Sequence, residues 1–392
     1  MPSKEPPPDW RLPRRDYVLL PATVLVTVLL LTFLAEVGAR LVWPEQPVDT
    51  CETWDEKLNV HVHPNCRSTV KSAEGDWVEY RYNECGFRSA ASCGPKPPNA
   101  TRIVVLGTSV SRGYWMAYND SFSGRLEREL SSACGRPVEF QNLSIGVAKG
   151  PVWHTAAQRS AETLSLEPDA IVLVVTNFDL IQYHTSVPAA AGQVQPQRGL
   201  VDRLGEWKAR FTSDSRAMTM AMHFAFSDPV RYLQFFLRHG DSADFLRSPL
   251  TAEWLERLNM VDRTVGSLAD AAHAAGVPLL LLLAPSRPAV IAAHASALGQ
   301  SAGTDVTAFP GALAAIARQH GMVFVDPTSI EIAAPDWNQL FFFSDGHPTA
   351  SGHRFIADAL RGALLENVPR LADCSDVRGI REATPGNRNS AK

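Results

Sequence analysis

The chain has 392 residues, of which 45% are apolar, so it can build a sizeable core and its composition is not that of a disordered protein. The formal net charge of −4 leaves no basic excess, which excludes a typical nucleic-acid-binding surface. These properties favour a globular protein that acts on small molecules or glycans.

An uncharged apolar segment lies close to the N-terminus. Tyr17 to Ala35 is long enough, at about 1.5 Å per residue, to cross about 30 Å of hydrocarbon. A cleaved signal peptide is the alternative, but the apolar run exceeds the usual signal core and no clear A-x-A site follows it. The positive-inside rule places residue 1 in the cytoplasm, because the preceding segment contains Lys4, Arg11, Arg14 and Arg15. We predict a single-pass anchor at 17–42 in the inner (cytoplasmic) membrane and an extracytoplasmic, periplasmic remainder.

The rest of the chain alternates between strand and helix signals. Short apolar runs bounded by turn residues predict five strands, at 103–106, 138–143, 171–176, 279–284 and 323–326. Amphipathic stretches between them predict helices, among them 254–275, 308–320 and 350–365. This alternation indicates an α/β fold, a doubly wound (flavodoxin-like) parallel sheet of about five strands with helices on both faces.

The expected domain organisation follows from these patterns. Residues 184–250 are too long for a plain loop and contain a helix-like aromatic portion, 218–237, so we predict a helical insertion over the carboxyl ends of the strands. Residues 43–100, between the anchor and the sheet, include one strand-like alternation, Asp76 to Tyr82. The predicted segments are a cytoplasmic stub (1–16), the anchor (17–42), a cysteine-containing connector (43–100), an α/β domain (101–370) and a tail (371–392) that is disordered beyond Cys374.

Six cysteines all follow the anchor, as an oxidising compartment allows. The helices after the first and last strands both end at the edge of the sheet opposite the carboxyl ends of the strands. Cys134 follows the first of these helices and Cys374 follows the last, so we hypothesise a Cys134–Cys374 disulfide. Local pairs, Cys51–Cys66 and Cys85–Cys93, complete the hypothesis, although six cysteines allow 15 full pairings. His61, His63 and Cys66 lack the two matching ligand pairs of a zinc site, and we expect no metal or cofactor.

Chemically useful side chains follow the predicted strands. Ser109 stands just past the first strand, between Gly107 and Gly113, where α/β sheets bind ligands. His347 precedes the last helix at the same end of the sheet, so the two can meet. Serine needs a base to become a nucleophile, and the base needs an acceptor behind it, for which Asp345 is the candidate. Each residue alone could be a cap or turn residue, but together they predict a catalytic set.

Acyl transfer also needs donors for the developing oxyanion. The candidates are the backbone N–H groups of Ser109 and Gly146 and the side-chain amide of Asn177. A shift of the second motif would offer Gly150 in place of Gly146.

This ordered set resembles the SGNH, or GDSL-type, hydrolase superfamily over about residues 101–366. The matching blocks are Gly107-Thr-Ser109 with Gly113, Asn142 to Gly146, Asn177, and Asp345-Gly-His347-Pro. Thr108 replaces the usual aspartate, and Asp179 stands one residue later than the third block places it. The final block is Asp-x-His where Asp-x-x-His is commoner, so a Ser–His dyad with a structural Asp345 stays open.

The resemblance implies a membrane-anchored serine esterase that acts through an acyl-enzyme, with O-acetyl groups of an envelope glycan as the expected substrate. Two alternatives stay open. One is an O-acyltransferase that moves the acyl group to a polysaccharide hydroxyl, and the other is a non-catalytic glycan-binding or scaffold protein with a partner in an envelope complex.

Overall fold

The computed structural model describes residues 13, 15–53, 61–145, 159–186, 215–238, 240–295, 297–298 and 303–374. The chain divides into two compact units. The smaller holds the N-terminal helix and the first part of the helix that begins at Arg216, and the larger holds the described residues from Glu45 to Ser186 and from His223 onward. The predicted tail lies almost wholly outside the described residues.

The smaller unit contains helix α1, Asp16–Val42. The most apolar 18-residue stretch of α1 has a mean hydropathy of 2.6. Among the described residues, α1 is the one helix that is long and apolar enough to cross a membrane. The apolar run predicted from the sequence therefore forms a continuous helix, which length and composition make a candidate membrane span or signal.

The larger unit is organised around a five-stranded parallel sheet. Its strands lie in the order β6-β5-β7-β8-β9, which is the flavodoxin-like order 2-1-3-4-5 when the sheet is numbered from its own first strand. All residues of the three longest central strands are buried, as the unbroken apolar runs predicted. The strands are β5 (Thr101–Leu106), β6 (Val138–Asn142), β7 (Ala170–Val175), β8 (Leu279–Leu283) and β9 (Val323–Val325). The predicted fold is confirmed.

Helices cover both faces, and the side chains of each strand alternate between two cores. Ile103 and Val105 face a core formed with Leu126 and Leu360. Val104 and Leu106 face the opposite core, which includes Trp254 and Leu313. The helices are α2 (Ser109–Arg112), α3 (Phe122–Cys134), α4 (Ser160–Ser165), α5 (Asn177–Ser186), α6 (Arg216–Phe226), α7 (Pro229–Phe236), α8 (Ala252–Ala274), α9 (Arg287–Ala293), α10 (Ala308–Gln319), α11 (Thr328–Ile332) and α12 (Ala350–Asn367).

The helix-like portion at 218–237 forms two helices. Helix α6 ends at Phe226 and helix α7 begins at Pro229. Asp228 accepts hydrogen bonds from Val230 N and Arg231 N, so it caps α7, and proline at the first position of a helix is favoured. The sequence carried this signal in the pair Asp228-Pro229.

Two small antiparallel pairs precede the sheet. Strand β1 (Glu52–Thr53) pairs with β2 (His61–Val62), and β3 (Arg67–Val70) pairs with β4 (Val78–Arg81). The segment Asp76 to Tyr82, which alternates in sequence, thus contains strand β4. Its partner, strand β3, has no comparable alternation in its sequence. Tyr80 and Tyr82 of this region lie in a small core with Trp115, so the segment packs against the loop after helix α2.

The three hypothesised disulfides are all present. Cys134 and Cys374 have Cα atoms 4.5 Å apart, and this bridge joins the end of α3 to the segment after α12. Cys51–Cys66 and Cys85–Cys93 are the local bridges. Cys66 is therefore not available as a thiolate beside His61 and His63. Disulfides of this number favour an oxidising, extracytoplasmic environment for the larger unit.

Candidate active site

Ser109 lies at the carboxyl edge of the sheet, directly after a tight turn that follows β5. Gly107 follows the strand, and a Cβ at this position would collide with the Ser111 side chain. Ser109 is the first residue of α2, and Gly113, with a φ of 76°, caps the C-terminal end of this helix. The short helix therefore presents the serine side chain at its first turn, as the glycine-bracketed motif predicted.

His347 and Ser109 come together across 238 positions of sequence. The His347 Nε2 atom lies 2.7 Å from Ser109 Oγ, within hydrogen-bond distance. His347 Nδ1 contacts Asp345 Oδ1, and the His347 backbone N–H donates to the same oxygen at 3.0 Å. The order hydroxyl, imidazole, carboxylate is the arrangement that lets a histidine take the serine proton while the carboxylate fixes its tautomer.

The electrostatics of this trio favour an ion pair when His347 takes a proton. Burial raises the pKa of Asp345, but the His347 charge and the hydrogen bonds from His347 and Trp115 outweigh it, so the pKa lies below the ordinary value. Burial lowers the pKa of His347, but the Asp345 carboxylate outweighs this, so the pKa lies above the ordinary value of 6.5. The carboxylate therefore stabilises the imidazolium that proton transfer creates.

Asn177 is the first residue of α5, directly after β7, and its side chain is buried. Its amide nitrogen is buried and has no hydrogen-bond partner among the described residues. A buried donor without a partner is costly, unless a ligand supplies the acceptor. Gly146 and the alternative Gly150 lie outside the described residues, so of the three predicted oxyanion donors only Ser109 and Asn177 are seen.

Thr108 and Asp179, which both depart from the family pattern, form a hydrogen bond with each other in the structure. The Thr108 hydroxyl donates to Asp179 Oδ1 at 2.9 Å, and Asp179 Oδ2 accepts from the Thr176 backbone N–H at 2.7 Å. Thr176 in turn accepts from the Asp179 backbone N–H through its hydroxyl. This reciprocal pair is a capping box at the start of α5, so Asp179 joins the helix that begins with Asn177 to the residue before Ser109.

Two residues that the sequence did not reveal, Trp115 and Glu74, contact the loop that carries Asp345 and His347. Trp115 Nε1 donates to Asp345 Oδ2 at 3.1 Å, although 230 positions separate them. Glu74 accepts from the Ser344 backbone N–H at 3.0 Å and from the Asp345 backbone N–H at 3.3 Å. The positive φ of Trp115, 63°, is the kind of outlier that marks functional sites, but the sequence does not show it.

A pocket lies beside Asn177. Most of its lining is apolar. The lining comes from the end of β8, helix α9, the starts of α10 and α11 and the 3-10 segment Gly240–Leu246, and it includes Phe245, Leu246, Ala289, Val306 and Phe309. The predicted insertion therefore contributes to the lining of a pocket at the carboxyl edge of the sheet. In the described part of the chain, no three His, Cys, Asp or Glu side chains gather in a way that could hold a metal ion.

Comparison with known proteins identifies a family for the region that carries this site. Residues 105–355 match the GDSL-like lipase/acylhydrolase family. No curated protein matches the chain.

Solved structures similar to this chain share little sequence with it. TesA is 13% identical over 67% of this chain and 98% of its own, with a TM-score of 0.37. The lipase/acylhydrolase from Enterococcus faecalis is 9% identical over 67% and 95%, with a TM-score of 0.34. A catalytic mutant of Axe2, an acetylxylan esterase from Geobacillus stearothermophilus, is 11% identical over 69% and 94%, with a TM-score of 0.36.

The matched region covers more than half of the chain, and it runs from β5 to the beginning of α12. It contains each of the motif residues Ser109, Asn177, Asp345 and His347. The chain therefore belongs to the GDSL-like lipase/acylhydrolase family.

Proposed function

We propose that this protein is a membrane-anchored serine esterase that removes ester-linked acyl groups, with O-acetyl groups of an envelope glycan as substrate. The single observation that carries the proposal is the 2.7 Å approach of His347 Nε2 to Ser109 Oγ, with Asp345 bonded behind the ring. Membership of a family of ester hydrolases supports the reaction class.

The proposed reaction has two halves. His347 takes the Ser109 hydroxyl proton as the oxygen attacks the ester carbonyl carbon, and the carbonyl oxygen becomes an oxyanion. The oxyanion accepts from the Ser109 backbone N–H and the Asn177 amide, with Gly146 as the third proposed donor. His347 then gives its proton to the leaving alcohol, so that the acyl group is left on Ser109. Water, deprotonated by His347, releases the acid and restores the serine.

The proposed location is the outer side of the cytoplasmic membrane. Helix α1 supplies a candidate anchor, and the basic residues before it favour a cytoplasmic N-terminus. Three disulfides support a periplasmic, oxidising site for the larger unit. Acylated glycans of the envelope are the ester substrates that such a location would offer.

The test uses the full-length protein in detergent with p-nitrophenyl acetate and an O-acetylated oligosaccharide, compared with the Ser109→Ala variant. Acetate release that depends on Ser109 supports the esterase. Transfer of the acetyl group to an added unacetylated oligosaccharide, at the expense of free acetate, would instead identify an O-acyltransferase. Glycan binding without turnover of either substrate would identify the non-catalytic scaffold.

A further inference from the structure

Asp345 makes more contacts than a simple turn residue requires. One carboxylate oxygen, Oδ1, is occupied by the His347 backbone N–H and Nδ1, and the other, Oδ2, accepts from Trp115 Nε1. Its own backbone N–H donates to Glu74. The carboxylate and the backbone of Asp345 are thus held by residues from two different parts of the chain.

Trp115 is itself fixed in place. It is 7% exposed, and its backbone N–H donates to the buried Tyr80 hydroxyl at 2.7 Å. The Arg88 guanidinium lies 3.9 Å from the centre of the Tyr80 ring and donates to the carbonyls of Gly113 and Met116 on either side of Trp115. A backbone φ of 63° is unfavourable for tryptophan, so these contacts stabilise a conformation that an isolated loop would not keep.

Glu74 is fixed as firmly. Its side chain is 3% exposed, and it contacts His223 Nδ1 at 2.5 Å as well as the backbone N–H groups of Ser344 and Asp345. A buried carboxylate that accepts several N–H donors resists rotation, because each donor would otherwise lose its partner. Glu74 therefore holds the backbone of Asp345, while Trp115 contacts its carboxylate.

We propose that Glu74 and Trp115 form a clamp that positions Asp345 as the carboxylate partner of His347, so that both are positioning residues for the esterase reaction. This inference rests on the proposed function. It goes further than that function in two ways. It assigns a catalytic purpose to Glu74, which lies before the family-matched region. It also excludes a Ser–His dyad in which Asp345 is merely structural.

The test is a double-mutant cycle in the full-length protein, with kcat, KM and the pH profile of p-nitrophenyl acetate hydrolysis as readouts. Trp115→Phe removes the indole donor and keeps the aromatic bulk, and Glu74→Ala removes the acceptor. Each is made in the wild-type protein and in Asp345→Ala. Losing a hydrogen bond to a charged group should lower kcat about tenfold in the wild-type background. In Asp345→Ala the same changes should alter kcat less than about twofold, since both residues act through that carboxylate.

A structural role would give a different result. Trp254→Phe is the matched control, because Trp254 is also buried and its indole N–H donates to the Asp241 carbonyl at 2.8 Å. The control should lower the melting temperature without moving the pH profile, whereas Trp115→Phe should move the acid limb to lower pH. Glu74→Gln keeps an acceptor oxygen and should restore most of the activity that Glu74→Ala loses.

Equal fold losses in both backgrounds, or an unchanged kcat in Trp115→Phe, would overturn the clamp. The proposed function fails in a separate way, through a wild-type protein without Ser109-dependent turnover. Additive losses in an active enzyme therefore reject the clamp alone.

Discussion

The hydroxyl of Thr108 donates to the carboxylate of Asp179 at 2.9 Å, and this bond joins the turn that carries Ser109 to the start of the helix that carries Asn177. Both side chains are buried. Burial raises the pKa of Asp179, while the hydrogen bonds from Thr176 and Thr108 lower it, and the net shift is upward. The two proposed oxyanion donors are thus connected through one side-chain contact.

Removing this contact should reduce turnover. Thr108→Val keeps the shape of the side chain but leaves Asp179 Oδ1 without its donor, which costs about 1 to 3 kcal/mol. We expect kcat to fall about tenfold, because the serine and the amide lose their common support. The measurement is steady-state hydrolysis of p-nitrophenyl acetate.

Thr163→Val is the matched control for this change. Thr163 is fully buried in α4, and its hydroxyl has no hydrogen-bond partner in the part of the chain that the structure describes. Replacement should leave kcat unchanged and keep or raise the melting temperature. Wild-type kcat in Thr108→Val, or an equal loss in the control, would contradict the role of the Thr108–Asp179 bond.

Asn177→Ala should lower kcat by about 10²-fold to 10³-fold, the effect of removing one oxyanion donor, with a smaller change in KM. The amide nitrogen has no hydrogen-bond partner among the described residues, so its loss should not unfold the protein. Asn367→Ala is the control, because that amide donates to the Ala363 carbonyl on its own helix. A loss of less than about fivefold in kcat would remove Asn177 from the oxyanion site.

The pH profile reports the state of His347. The base must be neutral to accept the serine proton, and the Asp345 carboxylate keeps its pKa above 6.5, so kcat/KM should fall as the pH drops through a value above 6.5. Asp345→Ala removes this effect, and the acid limb should move to lower pH while turnover falls by more than about tenfold. A smaller loss with an unmoved limb would support the dyad and make Asp345 a turn residue.

The Cys134–Cys374 bridge should contribute more to stability than the local bridges. It spans 240 residues of sequence, and the chain-entropy model gives about 5.5 kcal/mol for a loop of that length, an upper figure. The Cys85–Cys93 pair spans 8 residues, for which the same model gives about 2.5 kcal/mol. Paired Cys→Ser variants compared by denaturant unfolding should show this order. The reverse order would reject the entropic account.

The fold was predictable because its strongest signals are local. Unbroken apolar runs such as Ile103 to Leu106 and Leu279 to Leu283 can form buried strands, and the order of strand and helix then limits the topology. The proximity of Ser109 to His347 was also predictable from the sequence, because both residues come after strands whose carboxyl ends share one edge of the sheet. The Cys134–Cys374 pairing could be hypothesised on the same basis, from where two helices end.

Contacts between side chains distant in sequence could not be read in this way. Glu74 and Trp115 look like ordinary residues of a loop, and their partners, the Ser344 backbone and the Asp345 side chain, lie more than two hundred residues later. Thr108 and Asp179 each looked like a departure from the family pattern when considered alone. Only the structure shows that the two departures form one hydrogen bond.

The central claim is that Ser109 is a nucleophile activated by His347. The most direct measurement treats the full-length protein with a serine-directed fluorophosphonate and maps the modified peptide by mass spectrometry. We expect a single covalent adduct on Ser109, loss of esterase activity in step with labelling, and strongly reduced labelling in His347→Ala. An adduct on another residue, or Ser109→Ala that hydrolyses p-nitrophenyl acetate at the wild-type rate, would contradict it.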